Sequence, residues 1–417
     1  MNMLEEFQKK ANERMISLDY PSKKYGQGMV MNHDVDFDDV IGKVSYVNSD
    51  LSFGKVGSDS SDSNGVIVTS YLKLLVQDGS GLLDDVNSYL SGLISEVDDF
   101  DKIKLGLISK FNDFVVVYIK DGVNLSSDLF LDTFFSEGVV GSNVLIVAKK
   151  NSKVTIIDRV ESTRKCEFAS RNIHVVCEKG AHVNVVGINN FDMGSNVIMS
   201  KTSQVESEGL VTFNDFLAGG KYVNFDVKSY LVGVGANSKI NNAIVNNNSL
   251  HDIKNDVIHN ESNTHAYIKS KSVVVKGRSV FRGTINIPLG SKDCVSHQLV
   301  NNLLIEDEAR ADAVPILDVS NDDVSCSHGA TISEIDDEDI YYLTSRGVSS
   351  DGARKIIIKG FVQSIIDEFD LSQFEVSNEF DGSDGTGVSN GVVLSGGPVG
   401  LIEEINEKIF GVVRKNV

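Results

Sequence analysis

Cys326 and His328 stand two residues apart in the segment Asp322-Asp323-Val324-Ser325-Cys326-Ser327-His328-Gly329-Ala330-Thr331. Residues i and i+2 of an extended strand share a face, so the thiol and the imidazole would project together. Both are soft-metal ligands, and the thiol could also carry sulfur. A second half-site of the same kind, Cys294-x-x-His297, precedes it. Cys166, Cys177, Cys294 and Cys326 form no CxxC pair, which in a 417-residue chain reads as reduced thiols rather than a disulfide framework. Nucleotide chemistry has no evident carrier, because Gly219-Gly220-Lys221-Tyr222 lacks both the glycine spacing and the hydroxyl of a phosphate-binding loop. Asp318, Asp322 and Asp323 are carboxylates of the type a carbohydrate-active β-solenoid enzyme would use. An aromatic content of 7% and the absence of Trp argue against sugar stacking.

The elements that must carry these residues fall into three textures. Leu4, Phe7, Ala11 and Met15 share one face of an N-terminal helix, and Leu83, Val86, Leu90, Leu93 and Val97 share one face of a second, over 82–100. Phe114–Ile119 reads as a buried strand, and the glycine- and serine-rich run 54–65 as a loop. From Gly141 short β-branched runs recur, among them Val144–Val147, Val154–Ile157, Val183–Val186, Val223–Val227, Ile240–Val245, Val273–Val275 and Val314–Val319. Corners between them are rich in Asn, as at Asn246-Asn247-Asn248 and Asn301-Asn302, and Asn tolerates left-handed backbone angles. Periodicity alone predicts an all-β middle: a sandwich, a barrel or a β-solenoid. Helices return after Thr331. Asp336 is placed to cap the first, Gly347 to end it and Ser349 or Ser350 to start the next, with Ala353, Ile357, Phe361 and Ile365 on one stripe. Residues 380–397 read as a linker and Pro398 as the start of a last amphipathic segment.

Composition narrows the partners. Lys and Arg number 39 against 59 Asp and Glu, a net charge of −20 that repels nucleic acid and anionic membranes. No run of about 20 apolar residues is available to cross a bilayer, and Met1–Glu6 lacks a basic, then apolar leader. The expected location is the cytoplasm.

The order and spacing of several short motifs give a more specific reading. Phe281-Arg282-Gly283 (read as a turn), Asn301-Asn302-Leu303-Leu304-Ile305, the Cys326–Thr331 block, Tyr342-Leu343-x-Ser345-Arg346-Gly347 and Gly360-Phe361 together resemble the core of the SufB/SufD family of iron–sulfur cluster assembly proteins, more closely the SufD side. Tyr20-Pro21-Ser22-Lys23-Lys24-Tyr25 matches that family loosely. The resemblance implies a mainly β fold: a right-handed parallel β-helix core over 141–333, a mixed α/β region over 1–140, a helical partner-binding region over 334–379, and a linker with terminal helix over 380–417. SufB-type chains carry a cysteine where this chain has Val300 and a Glu where it has Gly329. Cys294, six residues from Val300, lies too far along a strand to replace that thiol.

What the resemblance implies for function is a non-catalytic assembly subunit that acts with a SufB-like scaffold, or with a second copy of itself through the β-helix, and with a SufC-like ABC ATPase. His328 and Cys326 become the candidates for cluster assembly, His328 as a metal ligand shared across an interface. Tyr342, Arg346, Gly347, Gly360 and Phe361 become the candidates for ATPase binding. One Cys-x-His cannot enclose a cluster, so no cofactor is expected to stay on this chain alone; a transient iron–sulfur cluster belongs to the complex. A homodimeric scaffold using Cys326 and His328 twice is the alternative within the same pathway.

Overall fold

The computed structural model describes residues 2–17, 24–25, 29–30, 65–77, 81–96, 114–125 and 128–369. The loop at 54–64, most of Tyr20–Tyr25, Val97, the linker at 380–397 and the last amphipathic segment lie outside these residues. Helix α1 (Met3–Ile16) starts at a reciprocal cap, in which the Asn2 side chain accepts from the Glu5 amide and the Glu5 carboxylate accepts from the Asn2 amide. Its face Leu4, Phe7 and Ala11 is buried. Two strands, β1 (Lys24–Tyr25) and β2 (Met29–Val30), pair antiparallel. Strand β3 (Val66–Ser70), helices α2 (Tyr71–Gln77) and α3 (Leu82–Glu96) and strand β4 (Val115–Ile119) follow. Leu4, Phe7, Tyr71, Leu82, Val86 and Leu90 form one apolar cluster with Leu145, Val147 and Val176 of the next strands. A network then pins α3 to the β core. Tyr118 donates to Asp85 at 2.7 Å, Tyr89 donates to Glu178 at 2.5 Å, and Lys149 bridges Glu178 at 2.7 Å.

From β5 (Leu129–Ala148) the chain winds as a β-solenoid of about eight turns. Its strands are β6 (Lys153–Cys177), β7 (His182–Phe191), β8 (Asn196–Val205), β9 (Leu210–Gly219), β10 (Tyr222–Leu231), β11 (Asn237–His259), β12 (His265–Ile287), β13 (Cys294–Leu304), β14 (Arg310–Val319) and β15 (Val324–Glu334). Every pairing among them is parallel, so no two face-packed antiparallel sheets exist here. Long strands such as β11 and β12 bend at a corner and serve both faces of the solenoid. One column shows the winding: Lys153, His182, Leu210, Asn237, His265, Val295 and Ser325 stack on one another, 27 to 30 residues apart.

Corners fall where side chains tolerate positive φ. Asn151, Asn248 and Asn263 lie at φ 57°, 60° and 57°, so the Asn246–Asn248 run is a corner, as its composition implies. Gly277 (φ 91°) stacks on that corner, and a Cβ there would meet the Ser249 amide at 2.6 Å. Asn301-Asn302, by contrast, lies inside β13: Asn302 points into the core, and Asn301 donates to Thr331 on the next coil at 2.6 Å. Phe281-Arg282-Gly283 is likewise strand rather than turn, in register with Ala313-Val314-Pro315.

The interior is built largely from the β-branched runs. Val154, Val183 and Val211 make one inward column, and Ile156, Val185, Phe213, Ile240 and Ile268 another, all essentially shut from water. Burying each such side chain is worth about 1.5–3 kcal/mol. A polar row interrupts this interior. Arg171 and Asp158 form a buried ion pair, and Lys201 donates to Asp215 at 2.6 Å in a second. Gly187 lies in register between Asp158 and Asp215, and a Cβ there would collide with the Asp215 carboxylate. Asn242, Asn255, Ser270, Ser296 and Gln298 continue the row toward the far end.

Candidate functional site at the open end of the solenoid

The last coil decides where the sequence-predicted residues lie. In β15 each residue pairs with one of β13, Cys326 with Ser296, His328 with Gln298, Gly329 with Leu299 and Ala330 with Val300. Cys294, Ser296, Gln298 and Val300 are buried, and Val295, His297 and Leu299 alternate outward. Paired residues of parallel strands point the same way, so Cys326 and His328 share the inward side, as their spacing predicts. The two differ in environment. Cys326 packs against the core, and burial pushes its thiol up, away from the reactive thiolate. His328 is exposed.

Among the described residues no strand stacks beyond β14 and β15. Inward-facing apolar residues of this coil therefore meet solvent: Leu317 is 37% exposed and Ile332 47%. Outward neighbours Leu299 and Ile316 are exposed too. Among the described residues, then, this end leaves strand backbone unpaired and apolar side chains in water.

Cys294-x-x-His297 does not make a half-site. Cys294 is buried and faces Thr264 at 3.3 Å, whereas His297 lies on the outer face, 2.7 Å from the Ser327 hydroxyl and in ring contact with Tyr267. The remaining thiols are buried as well, and burial holds Cys166 at about 11 and Cys177 at about 12. Among the described residues no group of three or more His, Cys, Asp or Glu is placed to hold a metal ion. Asp318 accepts from Asn286 at 2.6 Å, while Asp323 sits at the corner before β15, its carbonyl held by the Asp293 amide at 2.8 Å.

The C-terminal helices carry the second group of candidates. Helix α4 (Asp337–Thr344) is capped by Asp336, and Gly347 turns the chain at φ 89°. Arg346 stacks on the Tyr342 ring, 3.5 Å from its centroid, and Tyr341 and Tyr342 are exposed. Helix α5 (Ser350–Ile366), capped by Ser349, buries Ala353, Ile358, Val362, Ile365 and Ile366 against Ala243, Val245, Val273, Val275 and Leu303 on the outer face of the solenoid. The buried stripe thus centres on Ile358 rather than Ile357. Phe361 is half-buried at the seam, with Lys271 4.8 Å above its ring, and Lys269 joins Glu368 at 2.6 Å. Gly360 is exposed, with open space where a Cβ would lie. Sequence reading missed Gln298, Ser296 and the two buried ion pairs, since polar types inside a strand read as outward-facing.

Comparison with known proteins adds the decisive observation. The sequence profile described as "SUF system FeS cluster assembly, SufBD core domain" matches residues 134–361, just over half of the chain. The chain belongs to the SufBD family. The matched range takes in β6 to β15, α4 and most of α5, so the SufBD core of this protein is the solenoid with its C-terminal helices. An iron–sulfur cluster assembly SufBD family protein of Staphylococcus epidermidis is 26% identical over 263 residues, 61% of this chain and 56% of its own length. Proteins of the same description from Staphylococcus saprophyticus and Staphylococcus aureus are 28% and 26% identical over 233 and 231 residues. This chain thus spans about half the length of the SufBD relatives it matches. No described helix is long and apolar enough to cross a membrane.

Proposed function

We propose that this chain is a SufD-like subunit of a cytoplasmic iron–sulfur cluster assembly complex, without catalytic activity of its own. The observation that carries the reading is the register of the last coil. Val300, at the position of the SufB-type thiol, is 1% exposed beside Ala330, and Gly329 replaces the SufB-type carboxylate. His328 is left at the open end, able to supply one ligand to a cluster whose other ligands come from a partner. Iron is cargo in this scheme, held for a time at the interface and passed on.

The uncovered end suits a SufB-like subunit, whose own last coil would cap Leu317 and Ile332 as these would cap it. The exposed tyrosines of α4 suit a SufC-like ATPase, because this chain carries no phosphate-binding loop. Phe361, half-buried at the seam between α5 and the solenoid, is the neighbouring candidate for the same docking surface. Co-expression with a SufB-like scaffold and a SufC-like ATPase tests the assignment. Both partners should co-purify with the wild type, and Tyr341→Ala with Tyr342→Ala should reduce ATPase recovery at least tenfold while leaving the scaffold bound. A stable homodimer that ignores the scaffold would favour the self-paired alternative, and equal ATPase recovery would remove α4 from the interface.

A further inference from the structure

Gln298 is 2% exposed, yet neither its amide nitrogen nor its carbonyl oxygen has a hydrogen-bond partner. Leaving a buried polar group unsatisfied typically costs about 1–3 kcal/mol, and a leucine would fill similar space without that cost. The fold also makes room for this amide. Gly283 lies across the interior on the opposite face, and a Cβ there would come within 2.8 Å of the Gln298 amide carbon. Gln298 therefore spans the solenoid directly below the last coil. The residue it pairs with on that coil is His328, one strand spacing away, ~4.8 Å. Ser296, paired with Cys326, is fully buried with its hydroxyl also unpartnered.

We infer that Gln298 is a positioning residue for His328. In the structure the amide and the ring are register neighbours without a hydrogen bond between them. With both a donor and an acceptor, the amide, turned toward the last coil, engages an imidazole nitrogen of His328 in either tautomer and thereby fixes which nitrogen faces outward. Metal-binding histidines are ordinarily oriented in this way by a second hydrogen-bonding group behind the ring. Gly283 contributes by leaving the amide its place, which gives that glycine a role inside a strand. The inference rests on the assembly role proposed for His328.

Histidine-selective isotope labelling of the full chain at pH 8 tests it, with the His328 signal identified by its loss in His328→Ala. Gln298→Leu should shift both ring-nitrogen resonances of His328 toward those of free histidine, with a melting temperature equal to or above the wild type. Gln298→Glu, an acceptor without a donor, should move them the other way, toward a ring that donates to the carboxylate. Ser296→Ala should leave them in place. Gln298→Met replaces either variant that fails to fold. Unchanged His328 resonances in the folded Gln298 variants would overturn the inference. Normal iron loading in His328→Ala would instead withdraw the assembly role of His328 while leaving the Gln298 coupling standing.

Discussion

Asp215→Ala will destabilise the solenoid by about 3–5 kcal/mol, because it leaves the Lys201 ammonium buried without its counter-charge. Lys201 and Asp215 are 1% and 0% exposed and 2.6 Å apart. Burial pushes the Asp215 carboxyl up while Lys201 pulls it back. Asn189 donates to the same carboxylate oxygen at 3.1 Å. The glycine at 187 keeps that space open, since a Cβ there would collide with the same carboxylate oxygen. Replacing both charges, Lys201→Met with Asp215→Leu, should recover most of the loss, since an apolar pair of similar volume carries no desolvation cost. Denaturant unfolding of the three proteins measures this. A single variant within 1 kcal/mol of wild type would show that water reaches the pair.

The second large effect is on acid stability. His251 and His259 are fully buried, and desolvation lowers each to about 4 from an ordinary value of 6.5. Both are neutral in the folded state, His251 in contact with the Gly219 carbonyl at 2.9 Å and His259 with the Thr264 hydroxyl at 2.7 Å. The unfolded chain protonates them first. Their contribution is therefore whole above pH 6.5 and is lost as pH falls toward 4, by about 2 kcal/mol each at pH 5. Asp128, raised by burial to about 6, works in the opposite direction, as do Asp215 and Asp252. Comparison with a variant isolates the histidine term from those carboxyls. His251→Gln should lose about 2 kcal/mol less than wild type between pH 7 and pH 5, and parallel stability curves would contradict the assignment.

Much of the solenoid was legible in the sequence because its interior is apolar at most inward positions. The runs at Val183–Val186, Val223–Val227 and Ile240–Val245 are each strand, and the corner at Asn246–Asn248 is where composition puts it. Strands β8 and β9 gave no such run. Lys201 and Ser203 occupy inward positions of β8, and Asp215 an inward position of β9, so alternation fails where the core itself is polar. The same polar row hid the coil length, and varied corners spread it over 27 to 30 residues.

For the site, the period of two placed Cys326 beside His328 correctly, a purely local property of strand geometry. Their contrast was not local. Cys326 is half-buried against the core and His328 exposed, a difference set by tertiary packing on the last coil. On α5 the predicted stripe holds at Ala353 and Ile365, while Ile358 and Val362 rather than Ile357 and Phe361 take the fully buried places against Val245, Val273 and Val275.

The most direct measurement pairs iron content with melting temperature in the complex carrying His328→Ala. An exposed imidazole at an interface contributes little to the fold of its own chain, so the melting temperature should stay within about 2 °C of wild type. Iron and sulfide bound after anaerobic assembly should fall at least fivefold while the partners still co-purify. Full iron loading, or a lowered melting temperature with iron retained, would contradict the account and leave His328 a structural residue.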